Sequence, residues 1–293
     1  MYAIFAASLW GFLAIFLKVI TNEIPPVTVV WFRFLIAFLV LGAWTLVFHP
    51  SDFTIFRRPP VTLILAAIFL GLNYTGFIAG VSHISPSSAQ VFIQSGPVSF
   101  ALAGIFIFRE QVNWKHILGF VMVIAGIGLF YSEQIRDLAG SGVHFTKGML
   151  LVLGGGIAWA VFATFQKALV KSHRPNKLNL FIYGFCAVAL LPFVAFSSLQ
   201  GLPAAQWPIL IFLGLNTVLA YGSLALAIKF TEATRVSVII TLNPIITFVA
   251  MAILTRMDVS WIGPEDFSVY SIIGALMVLA GAITVISAGW NRK

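Results

Sequence analysis

The sequence predicts an all-α membrane protein in which ten transmembrane helices form two inverted five-helix repeats around a central cavity. The first supporting observation is composition: 60% of the 293 residues are hydrophobic and only 9% are charged, whereas soluble domains are about 25% charged. The second is a series of apolar runs, each close to the roughly 20 residues that cross a bilayer. The third is that blocks of the first half return in the same order in the second half.

The apolar runs are separated by charges, prolines and polar clusters, and the loops between them are short. No positive charge precedes the first run, which predicts an uncleaved first span rather than a signal peptide. The predicted spans are residues 2–20, 27–48, 61–80, 88–108, 116–132, 148–170, 177–197, 207–229, 234–255 and 269–288.

The placement of lysine and arginine predicts that both termini lie in the cytoplasm. With ten spans the termini share one side of the membrane, and that side holds twelve of the seventeen basic residues, among them Lys167, Arg292 and Lys293. The opposite side holds four, among them Lys18 and Arg136. Basic loops stay in the cytoplasm. The pI of 9.9 therefore reflects orientation in the membrane, and no nucleic-acid partner is predicted.

The two halves of the chain match in several places, which predicts a first repeat over residues 1–135 and a second over 145–293. Each proline of the matched set precedes its arginine by twelve residues. The matched positions are residues 69–73 with 212–216, Pro97 with Pro244, Arg109 with Arg256, 119–126 with 274–281, Trp10 with Trp159, and Lys18 with Lys167.

Five spans per repeat is an odd number, so the second repeat begins on the opposite side of the membrane and the two repeats are inverted. Inverted repeats can exchange conformations and so produce two states, each open to one side of the membrane. The sequence therefore favours an alternating-access transporter. A passive channel, an intramembrane enzyme acting on a lipid-linked substrate and a scaffold or receptor are the alternatives.

Pro97 and Pro244 lie near the middle of the fourth and ninth predicted spans, and we predict that they are hinges. Proline lacks the N–H that would bond the carbonyl four residues earlier. The carbonyls of Ile93 and Ile240 are then free at a depth where unsatisfied polar groups are costly. A polar substrate, a hydrated cavity or a neighbouring Ser or Thr can bond them.

Polar and aromatic side chains in the first, third, fourth, sixth, eighth and ninth spans predict a shared cavity, whereas the other four spans are expected to be peripheral. Hydrogen bonding between helices is the alternative explanation for each amide. The residues predicted to bind the polar end of a substrate are Asn73, Gln90, Gln94, Asn216, Thr241 and Asn243. Those predicted to line its apolar end are Trp10, Tyr74, Trp159 and Tyr221.

Arg33 lies a few residues inside the second span, and we expect its side chain to extend to the membrane surface or to bond free carbonyls. Binding an anionic substrate group is the alternative. All nine acidic residues lie at span ends or in loops, which argues against a buried carboxylate as a proton relay. Enzyme, metal-binding and phosphate-binding motifs are missing from the sequence, so no enzymatic activity, metal or cofactor is predicted.

The sequence is similar to the drug/metabolite transporter superfamily, specifically to its EamA-like members. The second repeat departs from the first at one point, because Met257 follows Arg256 where Glu110 follows Arg109, and we expect that Glu110 stabilises a helix end. The features that carry the resemblance are the ten spans in two fives, Trp10-Gly11, Arg33-Phe34, and the segment from Pro97 to Arg109-Glu110.

By length and aromatic content the chain most resembles YddG-type bacterial exporters of aromatic and other hydrophobic amino acids. The resemblance implies a bacterial inner-membrane location, cytoplasmic termini and efflux of a small-molecule substrate through a central cavity. Membrane lipid is the other expected partner. Monomer and homodimer both remain open.

Overall fold

A computed structural model describes residues 1–130, 132, 143–265 and 268–288 of the chain. Within those residues every regular element is a helix. Eight helical segments are long and apolar enough to cross a membrane, and the two apolar helices Trp114–Leu129 and Val269–Gly281 are shorter. The predicted number of ten spans stays a prediction. Arg136, Arg292 and Lys293, which entered the charge count, lie outside the described residues.

Four of the α-helices, those that start at Pro26, Val61, Pro86 and Pro175, begin at a proline or directly after one, and the residue before each start has an extended backbone. Short 3₁₀ helices cover Pro50–Phe56, Leu191–Phe193 and Ala204–Gln206. The α-helices are α1 Tyr2–Ile20, α2 Pro26–Phe48, α3 Val61–His83, α4 Pro86–Phe92, α5 Ser95–Phe106, α6 Trp114–Phe130, α7 Val143–Leu169, α8 Pro175–Leu190, α9 Phe196–Gln200, α10 Trp207–Phe230, α11 Ala233–Ile240, α12 Asn243–Arg256 and α13 Val269–Ala288.

Two of the predicted spans are broken helices. The α4–α5 segment is interrupted at Ile93–Gln94 and the α11–α12 segment at Thr241–Leu242. Each break lies shortly before the proline of its segment, so Pro97 and Pro244 both lie in the first turn of the second half-helix. The half-helices pack crosswise, α4 against α12 and α5 against α11.

Helices α6 and α13 pack against each other in opposite directions through matched glycines. A Cβ on Gly126 would lie 2.7 Å from the carbonyl oxygen of Gly274, and a Cβ on Gly281 would lie 2.7 Å from that of Gly119. In the sequence match, Gly126 corresponds to Gly281 and Gly119 to Gly274. The contact is therefore reciprocal, as in an interface formed about a two-fold axis.

Small residues also bring α7 close to α3 and α5. A Cβ on Gly76 would lie 2.8 Å from the carbonyl oxygen of Leu151, and a Cβ on Gly96 would lie 2.9 Å from that of Gly156. Backbones in a membrane protein pack this closely only where side chains are small. The close approach holds the broken α4–α5 segment against α7 and positions one wall of the central cavity.

Candidate substrate cavity

The broken helices meet at a central cavity that residues of α1, α2, α3, α7 and α10 also line. Its volume is about 60 Å³, room for about four water molecules at roughly 15 Å³ each. Its lining comprises Trp10, Leu13, Arg33, Asn73, Tyr74, Phe77, Ile78, Gln90, Ile93, Gln94, Pro97, Trp159, Tyr221, Ile240 and Asn243.

Eight of the ten predicted substrate-binding residues lie in this lining, together with the predicted hinge Pro97. Asn216 and Thr241 do not. Asn216 turns its amide nitrogen to the carbonyl oxygen of Leu9 at 2.9 Å, and the Thr241 hydroxyl donates to the carbonyl oxygen of Val238 in its own helix at 2.6 Å. Pro244 also lies outside the lining, at the start of α12.

Three of the four predicted aromatic residues pack edge to face in the lining of the cavity, where Trp10 contacts both Trp159 and Tyr221. The ring centroids of Trp10 and Trp159 are 6.2 Å apart with an interplanar angle of 88°, and those of Trp10 and Tyr221 are 5.1 Å apart. Since Trp10 and Trp159 are repeat equivalents, the two halves of the chain contribute matching rings to one wall. Such a wall offers an apolar, aromatic surface against which a substrate ring can pack edge to face or offset-stacked.

The amides of the lining hold helices together and also leave one buried acceptor without a hydrogen-bond partner. Gln90 donates from Nε2 to the carbonyl oxygen of Trp10 at 2.7 Å, and Asn73 donates from Nδ2 to that of Gly155 at 2.9 Å. The alternative explanation, hydrogen bonding between helices, therefore applies to both Gln90 and Asn73. Gln94 donates to the carbonyl oxygen of Gln90, but its Oε1 is buried without a hydrogen-bond partner.

The carbonyls expected to be free at the helix breaks are bonded within the protein. The carbonyl oxygen of Ile93 accepts from the N–H of Gly96 at 2.9 Å. With its amide nitrogen turned toward acceptors, Asn243 donates to the carbonyl oxygens of Ala7 and Ile240 at 2.8 and 3.1 Å. The breaks thus use a local backbone bond and an amide side chain, and neither of these partners is a Ser or Thr side chain, one of the alternatives considered from the sequence.

Arg33 corrects two expectations, because it neither extends to the membrane surface nor lies on a peripheral helix. It is 1% exposed and lines the cavity. Its Nε donates to the carbonyl oxygen of Leu213 and to Oγ1 of Thr217, both at 3.2 Å. Its Nη2 donates to the hydroxyl of Tyr74 at 3.4 Å, and the guanidinium carbon lies 4.5 Å from the centre of that ring. Arg33 does bond a carbonyl, but that of Leu213 is not one of the carbonyls that the prolines were expected to free.

At one end of the broken helices, Glu110 joins the end of α5 to the start of α11. Its carboxylate accepts from the backbone N–H groups of Ala233 and Thr234 at 2.7 and 3.0 Å. It also lies 3.1 Å from Nζ of Lys167, which donates to the carbonyl oxygen of Thr231. We call these five residues the Glu110 cluster. Glu110 does stabilise a helix end, as expected, but the helix belongs to the other half of the chain.

At the opposite end, Glu265 and Lys18 occupy the matching places. Glu265 Oε1 accepts from the N–H of Ser87 in the first turn of α4 at 3.4 Å, and Lys18 donates to the carbonyl oxygen of Ile84 at 3.1 Å. Lys18 also bonds the carbonyls of Val81 and Ser82. We call Glu265, Lys18, Ile84 and Ser87 the Glu265 cluster. Sequence comparison missed Glu265, because it follows Met257 by eight residues.

The two carboxylates have opposite pKa shifts. Burial acts to raise the pKa of Glu110, but the N–H groups of Thr234 and Ala233 and the charge of Lys167 outweigh it and hold the pKa below its usual value. Burial raises the pKa of Glu265, and its hydrogen bonds and the charge of Lys18 only partly offset this. The Glu110 cluster therefore favours the ionised acid and the Glu265 cluster the protonated one.

Comparison with known proteins identifies the family. The model of the EamA-like transporter family matches residues 1–132 and 146–287. The chain belongs to this family. As an EamA-like transporter it is a multi-pass membrane protein, and the predicted superfamily is thereby confirmed.

Relatives of this EamA-like transporter carry transporter names. An uncharacterized transporter of Haemophilus influenzae is 30% identical, over 96% of this chain and 92% of the relative. The uncharacterized inner membrane transporter YhbE of Escherichia coli is 30% identical, over 96% and 88%. A probable amino-acid metabolite efflux pump of Salmonella typhimurium is 23% identical, over 95% and 91%.

The fold of this EamA-like transporter also occurs in a solved crystal structure. The two chains superimpose with a TM-score of 0.71 at 17% identity, covering 99% of this chain and 98% of the other. At that identity the likeness concerns the fold alone.

Proposed function

We propose that this chain is an alternating-access carrier that exports small amphipathic metabolites, with aromatic and hydrophobic amino acids as the substrate class. The observation that carries the proposal is the pair of matching polar clusters at opposite ends of one central cavity. Each cluster ties the start of one broken helix to a carboxylate of the loop that follows the other broken helix. Opening one cluster while the other stays closed would expose the cavity to one side of the membrane at a time.

The repeat organisation required by this mechanism has independent support. We propose ten spans in two inverted units, residues 1–135 and 145–293. The two ranges that the family model matches agree with this division. The reciprocal glycine contact between α6 and α13, which run in opposite directions, is the contact expected where equivalent helices of inverted units meet.

The proposed substrate class rests on the cavity lining and on one relative. Aromatic and aliphatic side chains form most of the lining, and Arg33 and four amides provide its polar groups. The Salmonella relative bears the name of an amino-acid metabolite efflux pump. Location in a bacterial inner membrane, with cytoplasmic termini, is proposed by analogy with YhbE and from the distribution of basic residues.

The lining gives no support to an intramembrane enzyme. Among the described residues, those that line the cavity include no Asp, Glu, His or Cys. General acid–base and nucleophilic catalysis use these side chains most often. A carrier needs only a site that binds the substrate and changes its exposure.

Counterflow in proteoliposomes tests the proposal. Vesicles preloaded with unlabelled phenylalanine should take up labelled phenylalanine faster than empty vesicles. The reason is that the binding site of a carrier changes its exposure from one side of the membrane to the other more readily with substrate bound than without it. A passive channel shows no such trans-stimulation, and equal rates would contradict the carrier.

The same assay tests the cavity. Gln94→Ala should reduce uptake well below the wild-type rate with normal folding, because Gln94 presents its Oε1 in the cavity wall. Gln206→Ala is the matched control, since Gln206 also buries an Oε1 without a hydrogen bond but lies at the start of α10, outside the cavity. Unchanged uptake by Gln94→Ala across several amino acids would remove Gln94 from the site.

A further inference from the structure

The central cavity carries a positive charge that the protein does not neutralise. Arg33 is 1% exposed, and arginine remains protonated inside proteins. In the described part of the chain, ion pairs join only Lys167 to Glu110 and Arg235 to Glu232. No carboxylate of that part therefore pairs with Arg33.

The guanidinium of Arg33 also has N–H donors that do not bond to the described residues. A guanidinium has five N–H donors. Nε and Nη2 donate to groups of α10 and to Tyr74, whereas Nη1 makes no hydrogen bond with the described residues. The side chain is thus fixed on one side by the protein and open on the other.

The neutral partners of Arg33 compensate its charge only in part. The carbonyl of Leu213, the hydroxyl of Thr217 and the ring of Tyr74 contribute dipoles and a ring quadrupole. A buried cation is stabilised much more by an anion, and a carboxylate fits the guanidinium with two parallel hydrogen bonds. A ligand that brings the anion therefore completes the site.

A second polar atom of the lining has no partner. Gln94 is 2% exposed, and its Oε1 accepts no hydrogen bond. An amide oxygen accepts from an N–H or O–H group of a ligand but provides no negative charge to hold an ammonium. An anionic group in the cavity would therefore interact with the full positive charge of Arg33, whereas a cationic group would find only the neutral amide oxygen of Gln94 as a hydrogen-bond acceptor.

We propose that Arg33 is the carboxylate-binding residue of the cavity and that the substrates are small aromatic or aliphatic carboxylates. An ammonium group on the ligand is tolerated beside Gln94 but is not required. This inference rests on the proposed function and makes its substrate class more specific. The recognised group is the acid, and the apolar body packs against the rings of Trp10 and Trp159.

A series of phenylalanine analogues tests the proposal on the wild-type protein. Binding of phenylalanine, 3-phenylpropionate, phenylalanine amide and phenethylamine is measured by titration calorimetry in detergent. We expect both carboxylates to bind at least about ten-fold more tightly than the amide and the amine, a difference of about 1.4 kcal/mol. Equal binding of phenethylamine and 3-phenylpropionate, or binding of neither carboxylate, overturns the proposal.

Variants connect the preference to Arg33. In Arg33→Gln the preference for the carboxylates should be lost. Arg33→Lys should retain part of the preference, since lysine keeps the positive charge but cannot form the bidentate hydrogen bonds of a guanidinium. Arg57→Gln is the matched control, because Arg57 is exposed and remote from the cavity. A folded Arg33→Gln protein that still prefers carboxylates contradicts the assignment. If Arg33→Gln does not fold, the analogue series on the wild type decides alone.

Counterflow with the same compounds separates this inference from the proposed function. If the amine or the amide shows trans-stimulated uptake at the rate of the acids, the protein is a carrier as proposed, but its substrates are not recognised by their carboxylate. Selective binding of the acids without trans-stimulation would keep the site of Arg33 and remove the carrier.

Discussion

Lys167 and Lys18, which correspond in the sequence match of the two halves, have different partners. Lys167 Nζ lies 3.1 Å from the Glu110 carboxylate and also bonds one carbonyl, whereas Lys18 bonds three carbonyls and makes no ion pair within 4.0 Å among the described residues. The two ends of the cavity are therefore closed by related side chains with unequal electrostatics. The Glu110 cluster contains an ion pair, whereas in the Glu265 cluster the lysine bonds backbone carbonyls, so the two clusters should respond differently to mutation and pH.

Glu110→Gln should destabilise the protein by about 3 kcal/mol, because it leaves the Lys167 ammonium without its carboxylate in a largely buried place. The measurement is chemical unfolding in detergent. Glu232→Gln is the control, since Glu232 forms an exposed ion pair with Arg235 at the same end of α11, and it should change stability by less than about 1 kcal/mol. Equal effects of the two substitutions would show that the buried ion pair contributes no more to the free energy of unfolding than the exposed one.

Gly104→Ala should weaken the Glu110 cluster without touching any of its charges. A Cβ on Gly104 would lie 2.7 Å from Glu110 Oε2, so the carboxylate must move away from the N–H groups of α11. We expect a loss of about 1–3 kcal/mol in the same unfolding measurement. Gly154→Ala is the control because open space surrounds Gly154. Stability at the wild-type level in Gly104→Ala would mean that the carboxylate has room to shift.

The Glu265 cluster should close more firmly as pH falls from 7 toward 4.5. Burial raises the pKa of Glu265 above its usual 4.5, so the closed cluster binds a proton more readily than a solvated carboxyl does, and acid favours closure. The pKa of Glu110 lies below 4.5, and its stabilisation is lost only as pH falls below that value. Of the two carboxylates, Glu265 is therefore the one expected to respond within this pH window.

Cysteine labelling measures that response. Ser88→Cys, in the first turn of α4 and 4% exposed, is introduced into a Cys186→Ala background, and its labelling rate is normalised to Ser51→Cys, which is exposed. The normalised rate should fall with pH in the wild-type cluster. In Glu265→Gln, which mimics the protonated acid, it should stay low and constant. A pH dependence that survives Glu265→Gln would assign the titration to another group.

Gly126→Ala and Gly281→Ala should destabilise the protein by similar amounts, about 1–3 kcal/mol each, because each Cβ would lie 2.7 Å from a backbone carbonyl oxygen of the facing helix. Gly128→Ala, where nothing lies within 4 Å, should be neutral. Thermal unfolding in detergent compares the three. Unequal effects at Gly126 and Gly281 would argue against the reciprocal packing of α6 and α13.

Sequence reasoning succeeded where a residue type has only one use in a membrane helix. The matched prolines predicted two broken segments, and both segments are broken close to those residues. The matched tryptophans meet in one wall of the cavity. These outcomes follow because proline interrupts the backbone ladder and large rings pack with each other, regardless of the surrounding sequence.

Sequence reasoning failed where the direction of a side chain decided its role. The spans are apolar on every face, so hydrophobic periodicity does not tell which face is buried, and Arg33 and Asn216 were assigned to the wrong surroundings. The bonded carbonyl of Ile93 depends on a backbone turn at Gly96 that propensities do not specify. The small volume of the cavity is a property of packing and has no counterpart in the sequence.

The position of Glu265 affects how the two halves of a chain of this kind are compared. A register-based alignment pairs Glu110 with Met257 and counts the acid as lost from the second unit, although a carboxylate stands at the corresponding location in space. Glu110 and Glu265 therefore correspond by their contacts in the fold and not by their positions in the sequence. The two halves of such a chain are better compared by superposing the atoms that make equivalent contacts than by aligning the sequence.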